Sequence, residues 1–126
     1  MPDELRRFIV LSIESVPYLE ALLLLRREPE QPWDAPRLAR RLYIPEKRSA
    51  ELLQALLAAH MLINAEGKEP AYCYRPGSAE LAWMITRLAE WYEADLVGVT
   101  NLIHATPANK AKKFADAFIW RKKPDV

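Results

Sequence analysis

The sequence predicts a mainly α-helical protein with one small β-hairpin, and three consecutive stretches support this prediction. WDAPRLARRL (33–42) and PEKRSAELLQALLAAHML (45–62) place apolar residues at the three- and four-residue spacing of a helix. INAEGKEPAYCYRP (63–76) contains two short runs separated by a turn with glycine and proline. Helix, tight turn, helix and hairpin in this order are typical of a winged helix-turn-helix.

The first helix is predicted from Asp3 to Ser15. Leu5, Phe8 and Ile9 share one of its faces, but further apolar residues spread around the axis. A helix that is apolar on most sides must pack between other elements, so we expect residues 1–16 to form an N-terminal dimerisation helix. Pro17 suits the first turn of a second helix that ends at Arg27, and residues 17–76 are predicted to form the winged core.

The third and fourth helices have recognisable starts. Asp34 can cap the third helix, and Pro45 begins the fourth. His60 stands where such a helix usually ends in glycine, and a residue there often takes the left-handed conformation. An exposed, helix-ending histidine is a better interpretation of His60 than a ligand or pH switch. The fourth helix is expected to point these residues inward: Ala50, Leu53, Leu56 and Leu57.

The hairpin is predicted from two short strands, 62–65 and 71–75, with residues 66–70 as the wing between them. Tyr72 and Tyr74 should point to one face of the hairpin, because side chains alternate along a strand. Cys73 is interpreted as a small apolar strand residue, since nothing in the sequence indicates how its pKa would be lowered.

A long helix is predicted after the wing, over residues 78–104, with Ser78 as its cap. Its apolar residues form one stripe at helical spacing, which is longer than a small winged domain can cover. A homodimer built from the first helix and this long helix would bury both surfaces.

The last segment, 107–121, is predicted to be a short amphipathic helix that docks on a surface. Phe114 and Phe118 stand one turn apart in it. Trp83 lies on an otherwise polar side of the long helix, and tryptophan is a preferred interface anchor. The residues predicted to form a dimer or partner interface are Leu5, Phe8, Ile9, Trp83, Leu96, Val99, Ile103, Phe114 and Phe118.

Composition places the 126 residues in a single domain, 1–126, because 51% hydrophobic and 28% charged residues are ordinary for a folded protein of this length. The single cysteine excludes an internal disulfide and favours a cytoplasmic protein. No signal peptide or membrane span is expected, since the most apolar run, 18–25, is far shorter than the roughly 20 residues a spanning helix needs.

Charge is unevenly distributed along the chain, although the net charge is only +1. Residues 1–104 contain 12 Lys/Arg and 15 Asp/Glu, whereas residues 105–126 contain six Lys/Arg and two Asp. A second basic cluster, with five cations and only Glu46 between them, spans residues 37–48. Such a cluster is expected of a phosphate-binding surface, and equally of solvated helix faces.

No catalytic constellation is found in the sequence. It lacks a nucleophile elbow, a P-loop and a dinucleotide-binding glycine motif, and it contains only three glycines and two histidines. We therefore expect no enzyme activity, no catalytic residues, no metal site and no cofactor.

The chain resembles bacterial winged helix-turn-helix proteins, broadly those grouped with MarR-type transcriptional regulators. LARRL, ALLAAHMLI and YCYRP are the motifs of this resemblance. It implies that the fourth helix enters the major groove of duplex DNA and that the wing touches a minor groove. The wing departs from the MarR pattern, because it lacks an acidic-arginine repeat near its tip. The predicted DNA-binding residues are Arg37, Arg40, Arg41, Lys47, Arg48, Gln54 and Lys68.

Two functions remain open at this point. The first is a dimeric DNA-binding transcriptional regulator that makes mainly phosphate contacts and reads sequence modestly, because few side chains suited to base edges face outward from the fourth helix. The second is a winged-helix module that binds another protein and has no significant affinity for DNA.

Overall fold

The computed structural model describes residues 1–67 and 69–105. Within them the chain forms six helices and one two-stranded sheet. The prediction of a mainly helical winged helix-turn-helix fold is confirmed. The elements are α1 (Asp3–Ser12), α2 (Val16–Arg27), α3 (Ala35–Leu42), α4 (Glu46–Ala58), β1 (Leu62–Asn64), β2 (Tyr72–Tyr74), α5 (Ala79–Ala94) and α6 (Leu96–His104).

The helix-turn-helix consists of α3 and α4, which pack closely against each other and against α2. The Asp34 carboxylate caps α3 by accepting a hydrogen bond from the Arg37 backbone N–H at 2.9 Å, as the sequence predicts. Tyr43 ends α3 in the left-handed conformation with φ 57°. His60 follows α4 with φ 61°, which confirms the left-handed conformation predicted there.

The buried face of α4 differs from the predicted one by about one position. Ser49, Leu52, Leu53 and Leu56 are its buried residues, whereas Ala50 and Leu57 are half-buried. Ser49 was not among the residues predicted to point inward. Its hydroxyl is satisfied in the core, however, since Oγ donates a 2.8 Å hydrogen bond to the carbonyl oxygen of Ala35 on α3.

The wing is an antiparallel hairpin in which Leu62 pairs with Tyr74 and Asn64 with Tyr72. A third backbone segment joins it, because Trp33 exchanges two hydrogen bonds of 2.8 and 2.9 Å with Tyr72. This bridge was not predicted. It fixes the chain just before Asp34, the cap of α3, to strand β2, and the Trp33 side chain is fully buried there.

The predicted long helix 78–104 is wrong, because the chain bends at Asp95 and forms two helices, α5 and α6. Asp95 has φ −145° and ψ 68°, and its carboxylate caps α6 by accepting from the Gly98 N–H at 3.0 Å. The apolar stripe continues through the bend, so periodicity alone could not show it. Asp95 is both the residue that interrupts the stripe and the cap of the new helix.

The bend allows α6 to fold against α1, and α1 also packs against α5. Leu5, Ile9, Val99 and Ile103 are therefore buried in the core of one chain. Their predicted place in a dimer interface is corrected: the apolar surface that motivated it is already covered intramolecularly. The predicted first helix also ends earlier than expected, at Ser12.

No single helix in the described part of the chain is long and apolar enough to cross a membrane. The pair α1 and α2 together reaches that length and composition, but the two helices are bent by 107° relative to each other. Lys68 and the predicted amphipathic helix 107–121, with Phe114 and Phe118, lie outside the described residues.

Candidate nucleic-acid interface

The outer face of α4 is the surface that a winged helix-turn-helix would present to a DNA groove. Its exposed side chains include one cation, Lys47, and two carboxylates, Glu46 and Glu51. Arg48 is half-buried and lies 3.8 Å from Glu51 across one helical turn. An exposed ion pair of this kind contributes little to stability, but it lowers the positive charge available to phosphates. The face of α4 is therefore close to neutral.

Gln54 is connected to the wing. Its Nε2 donates a 2.6 Å hydrogen bond to the hydroxyl oxygen of Tyr72, which fixes the middle of α4 to β2. Gln54 was predicted as a possible base-reading residue. In the structure its amide already has a protein partner, so contact with a base would have to replace that bond.

A groove of about 400 Å³ separates α4 from the start of α3 and from the wing. Three carboxylate side chains line it, from Asp34, Glu46 and Glu69, over an apolar floor that includes Ala50 and Leu53. These carboxylates would face the phosphates of a duplex seated on α4. Sequence reasoning missed the groove because its residues come from three separate segments.

Arg37 and Arg41 stabilise the loop before α3. The Arg37 guanidinium stacks on the Trp33 ring, 3.9 Å from its centroid, and Nη1 donates a 3.0 Å hydrogen bond to the Pro32 carbonyl oxygen. Arg37 and Arg41 also lie 3.8 and 3.5 Å from the same Glu28 carboxylate oxygen. Both were predicted to contact DNA, and both retain exposed area, but their charges are partly balanced within the fold.

Arg40 and Lys47 differ from these two arginines. Both are exposed, and neither forms an ion pair with any residue in the ranges 1–67 and 69–105. Between them in the chain lies the turn with Tyr43, which is 95% exposed. We call Arg40, Arg41, Lys47 and Arg48 the corner patch, since they flank the turn of the helix-turn-helix.

The tyrosines with raised pKa values lie away from this surface and act in the core. The pKa of Tyr92 is raised to about 12, mainly by burial and further by the 2.7 Å hydrogen bond that its hydroxyl donates to Glu20 Oε1. Burial likewise raises the pKa of Tyr18 to about 12, with Glu14 as a second cause. Such phenols stay protonated at neutral pH. In the described residues no group of three metal-ligating side chains comes together.

The described residues that remain from the predicted interface are Phe8, Trp83 and Leu96. Trp83 is 51% exposed and Leu96 is 55% exposed, while Phe8 is half-buried against the core. Leu11 on α1 and Val97 on α6 are the most exposed of the described aliphatic side chains that the interface prediction left out, at 77% and 66%. Val97 lies outside the predicted apolar stripe; of the stripe residues in α6, Val99 and Ile103 are buried and Leu96 is exposed.

The sequence matches no protein-family model and no curated protein. Among solved structures, the chain is similar to Staphylococcus aureus MarR in complex with salicylate and kanamycin. The match covers 82% of this chain and 70% of the other, with 16% sequence identity and a TM-score of 0.45. At this distance the similarity assigns no function.

Proposed function

We propose that this protein is a dimeric winged-helix transcriptional regulator that binds duplex DNA mainly through phosphates. The observation that supports the proposal most directly is the corner patch, in which Arg40 and Lys47 are exposed and free of ion pairs with other described residues. Cations on a helix-turn-helix corner can reach the two phosphate backbones that border a major groove.

The carboxylates of the groove are expected to weaken DNA binding. Glu46 and Glu69 would approach the same duplex and repel its phosphates, and Gln54 is held by Tyr72. Specific binding is therefore expected to exceed non-specific binding only modestly. DNA contacts by Arg41, Arg48 and Lys68 remain part of the proposal, with Arg40 and Lys47 as the principal cations. Arg37 is expected to contribute little to DNA binding, because its guanidinium is held by the Trp33 ring and the Pro32 carbonyl oxygen.

The test is the salt dependence of binding to a fluorescently labelled 30-base-pair duplex. Reversal of two charges in Arg40→Glu with Lys47→Glu should lower the slope of log affinity against log salt by roughly 1.8, because each lost phosphate contact removes about 0.9. The matched control is Arg6→Glu with Arg7→Glu, which makes the same change in net charge on exposed positions of α1.

A second variant neutralises the groove carboxylates and should change DNA affinity in the opposite direction. Glu46→Gln with Glu69→Gln should tighten binding if the duplex lies on α4, since two repulsive charges disappear. Equal slopes for the corner-patch variant and the α1 control would refute the assignment, and so would unchanged affinity in the groove variant.

Dimerisation is proposed through the exposed apolar side chains of α1 and α6, namely Leu11, Leu96 and Val97. These two helices pack against each other, and Leu96 and Val97 are neighbours at the start of α6. Exposed apolar side chains that form a contiguous patch often mark an interface. Leu96→Asp with Val97→Asp should give a folded monomer by light scattering. A wild-type protein that is monomeric at micromolar concentration would contradict the dimer.

A second function, binding of another protein, is favoured by the acidic groove itself. Its three carboxylates and apolar floor suit a basic peptide better than a polyanion. In this case Glu46→Lys with Glu69→Lys would lose a protein that the wild type captures, while the Arg40→Glu and Lys47→Glu variant would still capture it.

A further inference from the structure

A second groove, of about 430 Å³, lies between α1 and the N-terminal half of α5. It is distinct from the acidic groove beside α4 and plays no part in the proposed DNA contacts. Its wall includes Trp83, whose ring is half-exposed and lies 5.3 Å from the guanidinium carbon of Arg87. Its principal lining residues are Phe8, Leu81, Trp83 and Met84, with the carboxylates of Glu4 and Glu80.

We propose that the part of residues 107–121 that contains Phe114 and Phe118 occupies this groove in the same chain, with both rings on its apolar wall. Two phenylalanines four residues apart would share one face of a helix and match a wall built from aromatic and aliphatic side chains. Exposing them to water together with Trp83 would leave three large apolar surfaces uncovered.

Charge supports the same occupant. The groove contains two carboxylates, and neither Glu4 nor Glu80 forms a salt bridge with any described residue. Residues 105–126 contain six Lys/Arg and two Asp. Lysines 110, 112 and 113 flank the first phenylalanine, so they would lie near the groove carboxylates when the phenylalanines enter.

The segment is long enough to reach the groove. The chain leaves α6 at Ala105, with one residue between it and position 107, and α6 packs on α1, the helix that forms one wall of the groove. The eight residues 106–113 can span roughly 26 Å when extended. A domain of about 100 residues has a radius of gyration of about 13 Å, so this length covers about twice that radius.

The test is site-specific photocrosslinking in the full chain. p-Benzoylphenylalanine placed at position 83 in place of Trp83 should crosslink to residues 107–121, as located by peptide mass spectrometry. The matched control places the same group at Tyr43, another exposed aromatic on the turn after α3, and should give no such crosslink.

Phe114→Ala with Phe118→Ala should lower the yield at position 83 by about tenfold or more, because each buried phenylalanine accounts for at least a tenfold change in the docking equilibrium. Glu4→Gln with Glu80→Gln should lower it less. If the double-alanine variant does not fold, the crosslink map of the otherwise unchanged chain still decides.

Crosslinks from position 83 to any other segment would overturn the proposal, as would equal yields at positions 83 and 43. Mixing chains labelled with ¹⁴N and ¹⁵N distinguishes the source of the segment. Crosslinks that join a ¹⁴N chain to a ¹⁵N chain would show that a second copy fills the groove, which would overturn the proposal that the same chain does so. None of these measurements involves DNA, so their outcome is independent of the proposed DNA binding.

Discussion

Arg37 and Arg40 stand three residues apart on α3, and the structure predicts opposite consequences for their loss. Arg37 stacks on Trp33 at 3.9 Å and donates to the Pro32 carbonyl oxygen at 3.0 Å, whereas Arg40 is exposed without an ion pair to the described residues. Arg37→Ala should therefore lower stability and leave DNA binding nearly unchanged. Arg40→Ala should lower DNA affinity and leave stability nearly unchanged.

The magnitude for Arg37→Ala follows from its contacts. A partly desolvated cation–π contact contributes about 0.5–2 kcal/mol, and a hydrogen bond from a charged donor about 1.5–3 kcal/mol. These values overlap when one side chain makes both contacts, and the 3.8 Å pair with Glu28 adds little, because both partners are partly exposed. We expect a loss of about 1–3 kcal/mol, against less than about 0.5 kcal/mol for Arg40→Ala.

Urea unfolding of the full chain measures the first effect, and the salt slope of binding to a labelled duplex measures the second. Arg40→Ala should lower the slope by roughly 0.9. The reasoning is refuted if Arg37→Ala lowers the slope while stability stays unchanged, or if the two variants lose the same stability.

Three further predictions concern the fold and use the same unfolding assay. Ser49→Ala leaves the Ala35 carbonyl oxygen without its buried donor and should cost about 1–3 kcal/mol; a cost near zero would contradict the role of that bond. Gly98→Ala places a Cβ against the Asp95 carboxylate, which should abolish a cap that contributes about 1 kcal/mol. Alanine gains a similar amount in helix propensity, so the net change in stability should be close to zero. Asp95→Ala should then cost about 1 kcal/mol in the wild type but almost nothing in the Gly98→Ala background, and equal costs in both would exclude this coupling. The pKa of Tyr92 is raised in the folded state, so the contribution of Tyr92 to stability is complete below pH 10 and is lost between pH 10 and about 12. Tyr92→Phe should therefore lose less stability than the wild type in that window. An unchanged pH profile of stability would contradict this prediction.

Local sequence signals were sufficient for much of the fold. Asp34 as the cap of α3, the left-handed His60 and the wing between two short strands follow from residue type and spacing, because each depends on contacts within a few residues. The bend at Asp95 was missed because the prediction relied on the spacing of apolar residues, and that spacing does not change at the bend. The apolar period continues from α5 into α6, and the direction of the axis is not encoded in that period.

The predicted dimer interface was wrong for most of its described residues, because it depended on contacts between helices that are distant in the sequence. A single long helix, as predicted, would expose more apolar surface than the winged core can bury, so a second copy of the chain was expected to bury the rest. Once the helix bends, α6 folds onto α1, and Leu5, Ile9, Val99 and Ile103 cover one another. Among the aliphatic side chains of α1 and α6, what chiefly remains for a partner is Leu96, which was predicted, together with Leu11 and Val97, which were not.

The charge of the candidate interface shows why sequence reasoning could find a basic cluster but could not say what it does. Residues 37–48 contain five cations, yet two of them lie against Glu28, nine or more positions earlier in the chain, and a third lies against Glu51. The carboxylates of Asp34, Glu46 and Glu69 meet in one groove from three segments. A local count of charges misses the pairs with Glu28 and the meeting of the groove carboxylates, because these depend on how separate segments pack. The Arg48–Glu51 pair, in contrast, lies within α4 at i,i+3 spacing and is visible in the sequence. Arg40 and Lys47 are therefore the cations on which phosphate binding should chiefly depend, and reversal of their charges is the change that separates a DNA-binding corner from a solvated one.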